Sequence, residues 1–267
     1  MDHTYQAALQ KLVELQSRFG EFHPLFQQAY PVAIVEGDQF HIYDVGADGS
    51  YARVRVAPTP MPIPAGVRAA FDLEAYNQRI ACVVTGEVFD EPGGYVTLLH
   101  EFVHCYQANT CELRLKQTLE IARQAMAAGD YMWELEYPFP YDHPDFVTAY
   151  TTLFSAVESA DLAGIIPSRS RLTTLPPDAL EYLHWQEWKE GFARFIENRL
   201  RQALNLPINH YGRQQPYHRI SLYEGGAVWI DFLVRREPAL LLDLEALFQR
   251  MGIQGAAAPP KNGGYYS

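Results

Sequence analysis

The sequence has few basic residues for its length, and it has no long run of apolar residues. Its 21 lysines and arginines stand against 32 aspartates and glutamates, which gives the 267-residue chain a net charge of −11. Nucleic acids and anionic membrane surfaces require a basic protein face, so this balance argues against both. No apolar stretch reaches the roughly 20 residues that a membrane-spanning helix needs. We therefore expect neither a nucleic acid nor a membrane among the binding partners.

Cysteine is also scarce, and the first residues do not resemble a secretory leader. The three cysteines, Cys82, Cys105 and Cys111, cannot all pair within one chain and do not form a disulfide framework. The first residues lack the basic and apolar regions of a signal peptide. Both features favour a reducing compartment, and the expected location is the cytoplasm.

Three common sequence signatures are absent as well. The chain has no G-x-G-x-x-G, P-loop or G-x-S-x-G sequence. These motifs bind dinucleotides, bind nucleotide phosphates and carry the nucleophile of serine hydrolases, respectively. Their absence removes the common nucleotide-binding and serine-hydrolase functions from consideration.

The residues that are present form an α+β pattern. A short amphipathic helix is predicted over 5–19. Segments rich in β-branched and aromatic residues, separated by turn residues, predict strands over 31–35, 39–43, 51–56 and 79–85. From Gly94 onward the helical periodicity predicts helices over about 94–108, 112–128, 145–163, 177–204, 220–235 and 238–251.

This pattern predicts three parts of the chain. Residues 1–93 are expected to form an N-terminal helix and a small β-rich lobe, and residues 94–254 a mainly helical lobe. The tail, 255–267, has no periodicity and is expected to be flexible. Within the helical lobe, Gly129 is a predicted helix stop and Ser221 a predicted N-cap.

One segment has a spacing of histidines that is typical of a metal-binding site. Residues 100–104 read His-Glu-Phe-Val-His, an H-E-x-x-H sequence inside a helical segment. Residues i and i+4 share a helix face, so the imidazoles of His100 and His104 can reach one zinc ion. Glu101 lies about 100° around the helix from His100, where its carboxylate can take the proton of a zinc-bound water as general base.

The flanks of this motif are apolar. No other charged residue lies within 95–106, and a narrow polar stripe runs along the helix through Thr97, His100, His104 and Gln107. A buried helix must satisfy such polar groups, because unpaired ones are costly in a core. Zinc would satisfy two of them. The alternatives are hydrogen bonds among core side chains, or a chance occurrence of the motif.

A catalytic zinc site needs a third protein ligand and keeps one position for water. Glu190, within the predicted 177–204 helix, is the preferred candidate, and the glycine after it would let two helices approach closely. Glu187, one turn earlier on nearly the same face, is the alternative ligand. A structural explanation also exists, since Glu190 and Arg194 have the i, i+4 spacing of an ordinary ion pair on a solvated helix face.

The sequence around Glu190 resembles that of a known enzyme family. Residues 188–197 read Trp-Lys-Glu-Gly-Phe-Ala-Arg-Phe-Ile-Glu and are similar to the W-x-N-E-G-F-A-x-Y-x-E stretch of gluzincin metallopeptidases of the aminopeptidase-N type. One residue fewer separates the tryptophan from the glutamate. The resemblance implies a zincin-like fold with Glu190 as third zinc ligand. Residues 223–228 are similar to the family's Y-E-K-G-A segment, and the three segments follow the family's order.

The last of these segments implies a role for Tyr223. In the family this tyrosine donates its hydroxyl to the oxyanion of the tetrahedral intermediate, where a donor is effective because charge develops there. The alternative is a tyrosine whose ring lies in the core at the start of a helix. Neighbouring residues that could supply the donor instead are His210, Tyr211, Tyr217 and His218.

The chain departs from the family pattern in two ways. His104 and Glu190 are much farther apart in sequence than in the family, so 109–176 is interpreted as an insertion with two helices. The family's G-x-M-E-N segment, whose glutamate grips the substrate amine, has no counterpart in 83–89, so aminopeptidase specificity is not implied. The predicted strand 79–85 is still expected to be an edge strand that aligns an extended peptide through main-chain hydrogen bonds.

The sequence thus predicts a zinc-dependent metallohydrolase, a peptidase of the gluzincin type that acts on a peptide or small amide. One zinc ion per chain is expected, with His100, His104 and Glu190 as ligands. Glu101 is the expected general base, and Tyr223 the expected oxyanion donor. The missing amine-binding segment and the insertion motivate an alternative, a non-catalytic zincin-like protein with a binding or regulatory role. A third possibility is an unrelated helical domain in which the motif is coincidental.

Overall fold

The computed structural model describes residues 2–252 as a mixed α/β protein with two compact units. The first unit comprises the described residues up to Glu112 together with Ile196–Asn209. The second comprises Leu113–Phe195 and the described residues from His210 onward. The strands all precede the long run of helices, as the sequence predicts.

The first unit contains a five-stranded sheet. Its strands are β1 (Val32–Glu36), β2 (Gln39–Val45), β3 (Tyr51–Pro58), β4 (Arg68–Leu73) and β5 (Arg79–Thr85). The strand order is β3-β2-β1-β5-β4, in which β1 and β5 are parallel and all other neighbours are antiparallel. β1 and β5 lie in the interior of the sheet because their β-branched, apolar side chains are almost all buried.

The edge of the sheet differs from the sequence prediction. The four predicted strands are confirmed, and β4 is an additional strand that the sequence does not signal, because its residues, Arg-Ala-Ala-Phe-Asp-Leu, include no β-branched side chain. β4 pairs with β5 along that whole strand, from Arg68↔Val84 to Leu73↔Arg79. β5 is therefore internal, and the expectation that 79–85 forms an edge strand is wrong. β4 occupies that edge.

Two helices and part of a third complete the first unit. They are α1 (Asp2–Ser17), α2 (Pro92–Gln107) and the last residues of α8 (Pro177–Ala203), a helix that begins in the second unit. α2 contacts β4 and β5. The division of the chain therefore differs from the predicted boundary at 93/94, because the helix with the H-E-x-x-H sequence belongs to the same unit as the sheet.

A proline and a glycine determine how α2 begins. Pro92 lies in the first turn, where its missing N–H leaves no helical hydrogen bond unmade. A Cβ on Gly94 would lie 1.7 Å from the carbonyl oxygen of Val88, so a residue with a side chain cannot fit there. From Tyr95 to Gln107 nearly every side chain is buried. The burial agrees with the uncharged segment in the sequence and fixes the orientation of the motif.

The second unit is helical in the part of the chain that the structure describes. Besides α8, its helices are α3 (Leu113–Thr118), α4 (Glu120–Ala128), α5 (Trp133–Glu136), α6 (Pro144–Glu158), α7 (Ile165–Arg171), α9 (Arg219–Arg236) and α10 (Leu244–Arg250). The predicted helix 112–128 is divided at Leu119, whose extended backbone precedes α4. Gly129 ends α4 in a left-handed conformation with φ 72°, as predicted for a helix stop.

The N-cap of α9 differs from the prediction. Ser221 is the third residue of the helix, and His218 is the N-cap. The His218 side chain accepts a hydrogen bond from the backbone N–H of Ile220, and the Ser221 hydroxyl accepts one from the backbone N–H of His218. This reciprocal pair is a capping box, which allows the helix to begin at Arg219, one residue before the predicted start at 220.

Two glycines allow α8 and α9 to come into backbone contact. A Cβ on Gly191 would lie 2.6 Å from the Cα of Gly226, and a Cβ on Gly226 would lie 2.3 Å from the carbonyl oxygen of Glu187. Both distances are shorter than side chains tolerate, so the crossing requires glycine on both helices. The predicted reason for a glycine after Glu190 is confirmed, and the crossing places Glu190 beside α9.

Three further expectations concern cysteines, membranes and the tail. All three cysteines are buried thiols, and none forms a disulfide. Within residues 2–252, no helix combines the length and the apolar character that crossing a bilayer requires. The predicted flexible tail, 255–267, lies outside the described residues.

Candidate metal centre

His100 and His104 lie one turn apart on α2 and are almost completely buried, with 8% of each residue exposed. Their ring centroids are 5.1 Å apart, and the ring planes are inclined by 72°. The side chains therefore project from the same helix face, as the i, i+4 spacing predicts. Burial also shields them from bulk water, so their protonation depends on the groups that contact their ring nitrogens.

Glu197, near the end of α8, contacts the first of these histidines. Its Oε2 lies 3.1 Å from Nδ1 of His100, and its Oε1 accepts hydrogen bonds from Arg201 (2.7 Å) and Asn209 (2.9 Å). An ionised carboxylate can only accept, so Nδ1 of His100 carries the hydrogen, and in the neutral ring the lone pair then lies on Nε2. This is the tautomer that a metal-binding imidazole needs when a carboxylate orients it.

Gln107 has the corresponding role for the second histidine. Its Oε1 lies 3.0 Å from Nδ1 of His104, and its side chain is completely buried. Because Oε1 of the amide is an acceptor, Nδ1 of His104 donates, and in the neutral ring its lone pair is again on Nε2. The contacts at Nδ1 of both rings are therefore those of metal-binding histidines. The polar stripe in the sequence includes Gln107 but does not assign it a partner.

Sequence reasoning missed the role of Glu197. The residue is the final glutamate of the 188–197 segment, but its sequence spacing indicates only an i, i+4 pair with Arg201. That pair forms, and the other oxygen of the carboxylate contacts His100. A partner so distant in sequence from His100 leaves no local signal. The position of the residue within the family-like segment is the one pattern that draws attention to it.

Glu101 is buried beside the histidines, with 6% of the residue exposed. Its charge acts on two neighbouring thiols, Cys82 and Cys105. Burial raises the pKa of both thiols well above the ordinary value, and the Glu101 carboxylate raises it further. Both thiols are therefore neutral at physiological pH. Cys105, although adjacent to His104, behaves as a core thiol rather than a thiolate ligand.

Glu190 and Tyr223 form a pair in the second unit. Tyr223 lies on α9, is 8% exposed and is hydrogen-bonded to the side chain of Glu190. Burial raises the pKa of the Tyr223 hydroxyl, and the charge of Glu190 raises it further. The hydroxyl therefore keeps its proton at neutral pH. Tyr223 is a hydrogen-bond donor that contacts the predicted third ligand.

Glu187, the alternative third ligand, has other partners. Its side chain is completely buried, and Oε1 lies 2.5 Å from Nη1 of Arg169 and 2.6 Å from the hydroxyl of Tyr150. Arg169 is also buried, so the two charges neutralise each other inside the second unit. A carboxylate paired in this way is a weak candidate for a metal ligand.

The predicted ligand set meets the distance requirement for one metal ion. His100, His104 and Glu190 each offer one ligand atom, and these three atoms lie within 4.8 Å of one another. Two imidazole nitrogens and one carboxylate oxygen form a donor set that suits zinc. The Nδ1 contacts of both histidines fit this assignment, because a neutral ring that donates from Nδ1 has its lone pair on Nε2. The three residues can therefore hold a metal ion.

The other predicted oxyanion donors have different positions. His210 contacts Glu224 at 3.0 Å, and the hydroxyl of Tyr217 lies 3.0 Å from that of Thr151. His218 caps α9, as described above. Tyr211 is 67% exposed. Among the predicted donors, Tyr223 is the one for which the structure gives a hydrogen bond with Glu190.

Comparisons with protein-family models, with curated proteins and with solved structures find no match to this chain. The gluzincin resemblance therefore stays a prediction, and any functional inference depends on the residues themselves.

Proposed function

We propose that the protein is a zinc-dependent metallohydrolase, a peptidase of the gluzincin type, with His100, His104 and Glu190 as its metal ligands. The observation that carries this proposal is the hydrogen bonding of the two imidazoles at Nδ1. Each donates its Nδ1 hydrogen to a buried acceptor, which leaves Nε2 to bind a metal, and a carboxylate lies within the distance of a common ion. A pair of histidines that served only to fill a core would not require this third group.

The proposed chemistry assigns one task to the metal. A zinc ion held by these ligands supplies Lewis acidity, which lowers the pKa of a bound water and polarises a carbonyl group. The remaining tasks belong to side chains. Glu101 adjoins His100, is buried and can hold the proton of the attacking water before delivering it to the leaving amine.

Tyr223 is proposed to stabilise the charge that develops on the carbonyl oxygen. Its hydroxyl is protonated at neutral pH and lies beside Glu190, so its single hydrogen is available within the site. A donor in a site with little water is effective, because it acts where the charge develops. We expect Tyr223→Phe to retain zinc and to lower kcat more than it changes KM.

The edge of the sheet supports a peptide as substrate. β4 is the last strand on its side of the sheet and contacts α2. An exposed strand edge can bind an extended peptide through main-chain hydrogen bonds. We propose that β4, rather than the internal strand β5, aligns the substrate.

One observation favours the alternative of a non-catalytic protein. Glu87, in the region where the aminopeptidase pattern has its amine-binding glutamate, accepts hydrogen bonds from Thr85, the backbone N–H of Gly66 and Arg68. It therefore serves a structural purpose. A protein with the zinc ligands but without a residue for the substrate amine would bind peptides without cleaving them.

The test measures zinc and hydrolysis separately. Purified protein should contain one zinc ion per chain by elemental analysis, and His104→Ala should remove it. Glu101→Gln should keep the zinc but lose cleavage of an unbiased peptide library, whereas the exposed control Glu158→Gln should keep both. Protein that binds no zinc when supplied with it contradicts the proposal. Zinc binding without chelator-sensitive cleavage supports the non-catalytic alternative.

A further inference from the structure

Arg219 lies beside the Glu190–Tyr223 pair and has no role in the chemistry proposed above. It is the first residue of α9 and is half-buried. Its guanidinium carbon lies 5.5 Å from the centre of the Tyr223 ring, which is one helical turn further along. A cation over an aromatic face is held in position by the ring quadrupole. The guanidinium is thus placed next to the hydroxyl that contacts the third ligand.

The lack of a carboxylate partner distinguishes Arg219 from similar residues. The other buried or half-buried arginines of the second unit each have a carboxylate within ion-pairing distance, and they are Arg169, Arg194, Arg213 and Arg250. Among residues 2–252, no aspartate or glutamate lies within that distance of Arg219. A partly desolvated cation without an anion is costly to the folded state, and such a residue is suited to receive an anion from a ligand.

The groups around Arg219 are hydrogen-bond donors. The charge of Arg219 acts on the hydroxyls of Tyr141, Tyr182 and Tyr223, and the Tyr182 hydroxyl donates a hydrogen bond to the backbone oxygen of Glu134 at 2.9 Å. Burial raises the pKa of Tyr141 to about 12, so this hydroxyl is neutral at physiological pH. One guanidinium among neutral hydroxyls forms a local region suited to an anion, although the whole chain carries a net charge of −11.

We propose that Arg219 binds a carboxylate group of the substrate, so that the enzyme prefers peptides with a carboxylate near the scissile bond. The planar guanidinium offers two parallel N–H donors that match the two oxygens of a carboxylate. The contact with the Tyr223 ring holds the guanidinium in position. The carboxylate belongs either to the C-terminus of the peptide or to an aspartate or glutamate side chain. This inference rests on the proposed function, since it specifies the substrate class of the same site.

The first experiment compares cleavage of matched peptides. Peptides that the protein cleaves are taken from a library, and two matched pairs are made from each. The members of the first pair differ in having a free C-terminus or a C-terminal amide. The members of the second pair differ in having glutamate or glutamine near the cleaved bond. We expect wild-type kcat/KM to be at least about tenfold higher for the carboxylate member of one of these pairs. Arg219→Gln should abolish that preference, so that the ratio of kcat/KM for the carboxylate and neutral members falls to about one. Arg219→Lys, which keeps the charge but not the fork, should retain part of the preference.

The outcomes separate the two sources of the carboxylate. Loss of cleavage on amidation identifies the C-terminal carboxylate, and loss on exchange of glutamate for glutamine identifies a side chain. Arg235→Gln removes an exposed arginine from the same helix and should leave both preferences intact. Equal cleavage of all members by the wild type overturns the inference. So does an equal loss for all members in Arg219→Gln, because that result assigns Arg219 a structural effect on Tyr223.

A second experiment measures binding without hydrolysis. The probes are acetylated trialanine with a free C-terminus, its amide, and the amide with a central glutamate, titrated into zinc-free Glu101→Gln protein by calorimetry. One of the carboxylate probes should bind at least about tenfold more tightly than the neutral amide, and Arg219→Gln should remove the difference. If the carboxylate probe binds more tightly through Arg219 but wild-type protein cleaves no peptide, the carboxylate site is supported and the hydrolase proposal is wrong. If cleavage occurs with no carboxylate preference in binding or turnover, the inference fails alone.

Discussion

At the scale of single residues, the acceptors Glu197 and Gln107 are as important to the candidate metal centre as the ligands. Each fixes which nitrogen of its histidine carries the hydrogen. Without them, a neutral imidazole could place its hydrogen on the metal-facing nitrogen, which would prevent coordination. Partners of this kind also orient the ring, so their removal weakens metal binding even when every ligand remains.

The contribution of Glu197 can be measured directly. Glu197→Ala removes the acceptor of His100, and we expect zinc affinity to fall about 10- to 100-fold, as is typical for such partners. Glu197→Gln retains an acceptor oxygen and should lose less. Competition with a chromophoric chelator gives the affinities, with the exposed Glu158→Gln as the control. Unchanged affinity in Glu197→Ala would show that the contact does not support a metal ligand.

The sequence predicts the candidate ligands better than their environment. His100 and His104 are evident because the i, i+4 spacing is local, and Glu190 follows from the family-like segment. The partners of Glu187 are not evident, because Arg169 and Tyr150 approach it from separate helices. Tertiary contacts of this kind leave no periodic signal in the sequence. Arg219 is missed for the same reason, since the absence of a partner is visible only in three dimensions.

At the scale of secondary structure elements, the crossing of α8 and α9 determines where Glu190 and Tyr223 meet. The two helices approach so closely that a Cβ on Gly226 would overlap the backbone of α8. Larger residues would force the helices apart and would shift Tyr223 relative to Glu190. The crossing therefore couples the stability of the second unit to the geometry of its functional pair.

Substitution of Gly226 tests this coupling. Gly226→Ala should lower the free energy of unfolding by about 1–3 kcal/mol, because overpacking displaces the backbone, and it should also reduce zinc affinity. Gly93→Ala is the matched control, since a Cβ at Gly93 meets no atom within 4 Å. Urea denaturation measures both variants. If Gly226→Ala is as stable as Gly93→Ala, the close approach is not required.

A half-buried ionic cluster connects α5 with α3 and α8 in the second unit. Oε1 of Glu134 lies 2.6 Å from Nζ of Lys116, and Oε2 lies 2.8 Å from Nζ of Lys189. Burial alone would raise the pKa of Glu134, but the charges of Lys189 and Lys116 outweigh it and lower this pKa to about 2. The carboxylate thus stays ionised in the folded protein at pH values where it is protonated in the unfolded chain.

The depressed pKa predicts a loss of stability in acid. The stabilising contribution is complete above the unfolded pKa of about 4.5 and disappears as the pH falls from there to about 2. Over this window the contribution is about 3 kcal/mol. Glu134→Gln should be less stable than wild type at pH 7 and should show a flatter decline below pH 5. Parallel stability curves for the two proteins over this range would contradict the assignment.

The boundaries of elements show where sequence patterns stop being sufficient. α2 is predicted within two residues at each end, because an uncharged segment with proline at its start admits little else. α9 begins earlier than predicted, since a histidine replaces the more usual serine as N-cap. β4 is not predicted at all, because its stability comes from pairing with β5 rather than from its own residues.

At the scale of the whole molecule, the sequence predicts the mixed composition of helices and strands but not the division into units. Helical periodicity begins near Gly94, which suggests a boundary there. The first unit extends to Glu112, and the stretch 196–209 also belongs to it. A long helix that contributes to both units cannot be divided by composition, since its pattern is continuous along α8.

Removal of the metal should affect the stability of the whole chain. The proposed ligands lie on α2 and α8, far apart in sequence, so zinc binds the folded chain better than the unfolded one. Zinc at a thousandfold excess over its Kd would add about 4 kcal/mol. We expect a chelator to lower the Tm of wild-type protein and to have no effect on His104→Ala. A Tm that is insensitive to zinc would show that the ion does not bind the folded state selectively.

The uninterrupted course of α8 has a consequence for how this protein can diverge. Glu190 and Glu197 are seven residues apart, which is nearly two full turns and leaves them within about 20° of each other around the axis. Inserting one residue between them would rotate one glutamate by about 100° relative to the other. Length changes should therefore be accepted in the stretches that precede α8, whereas a length change between these two glutamates would alter the angle or the axial distance between them.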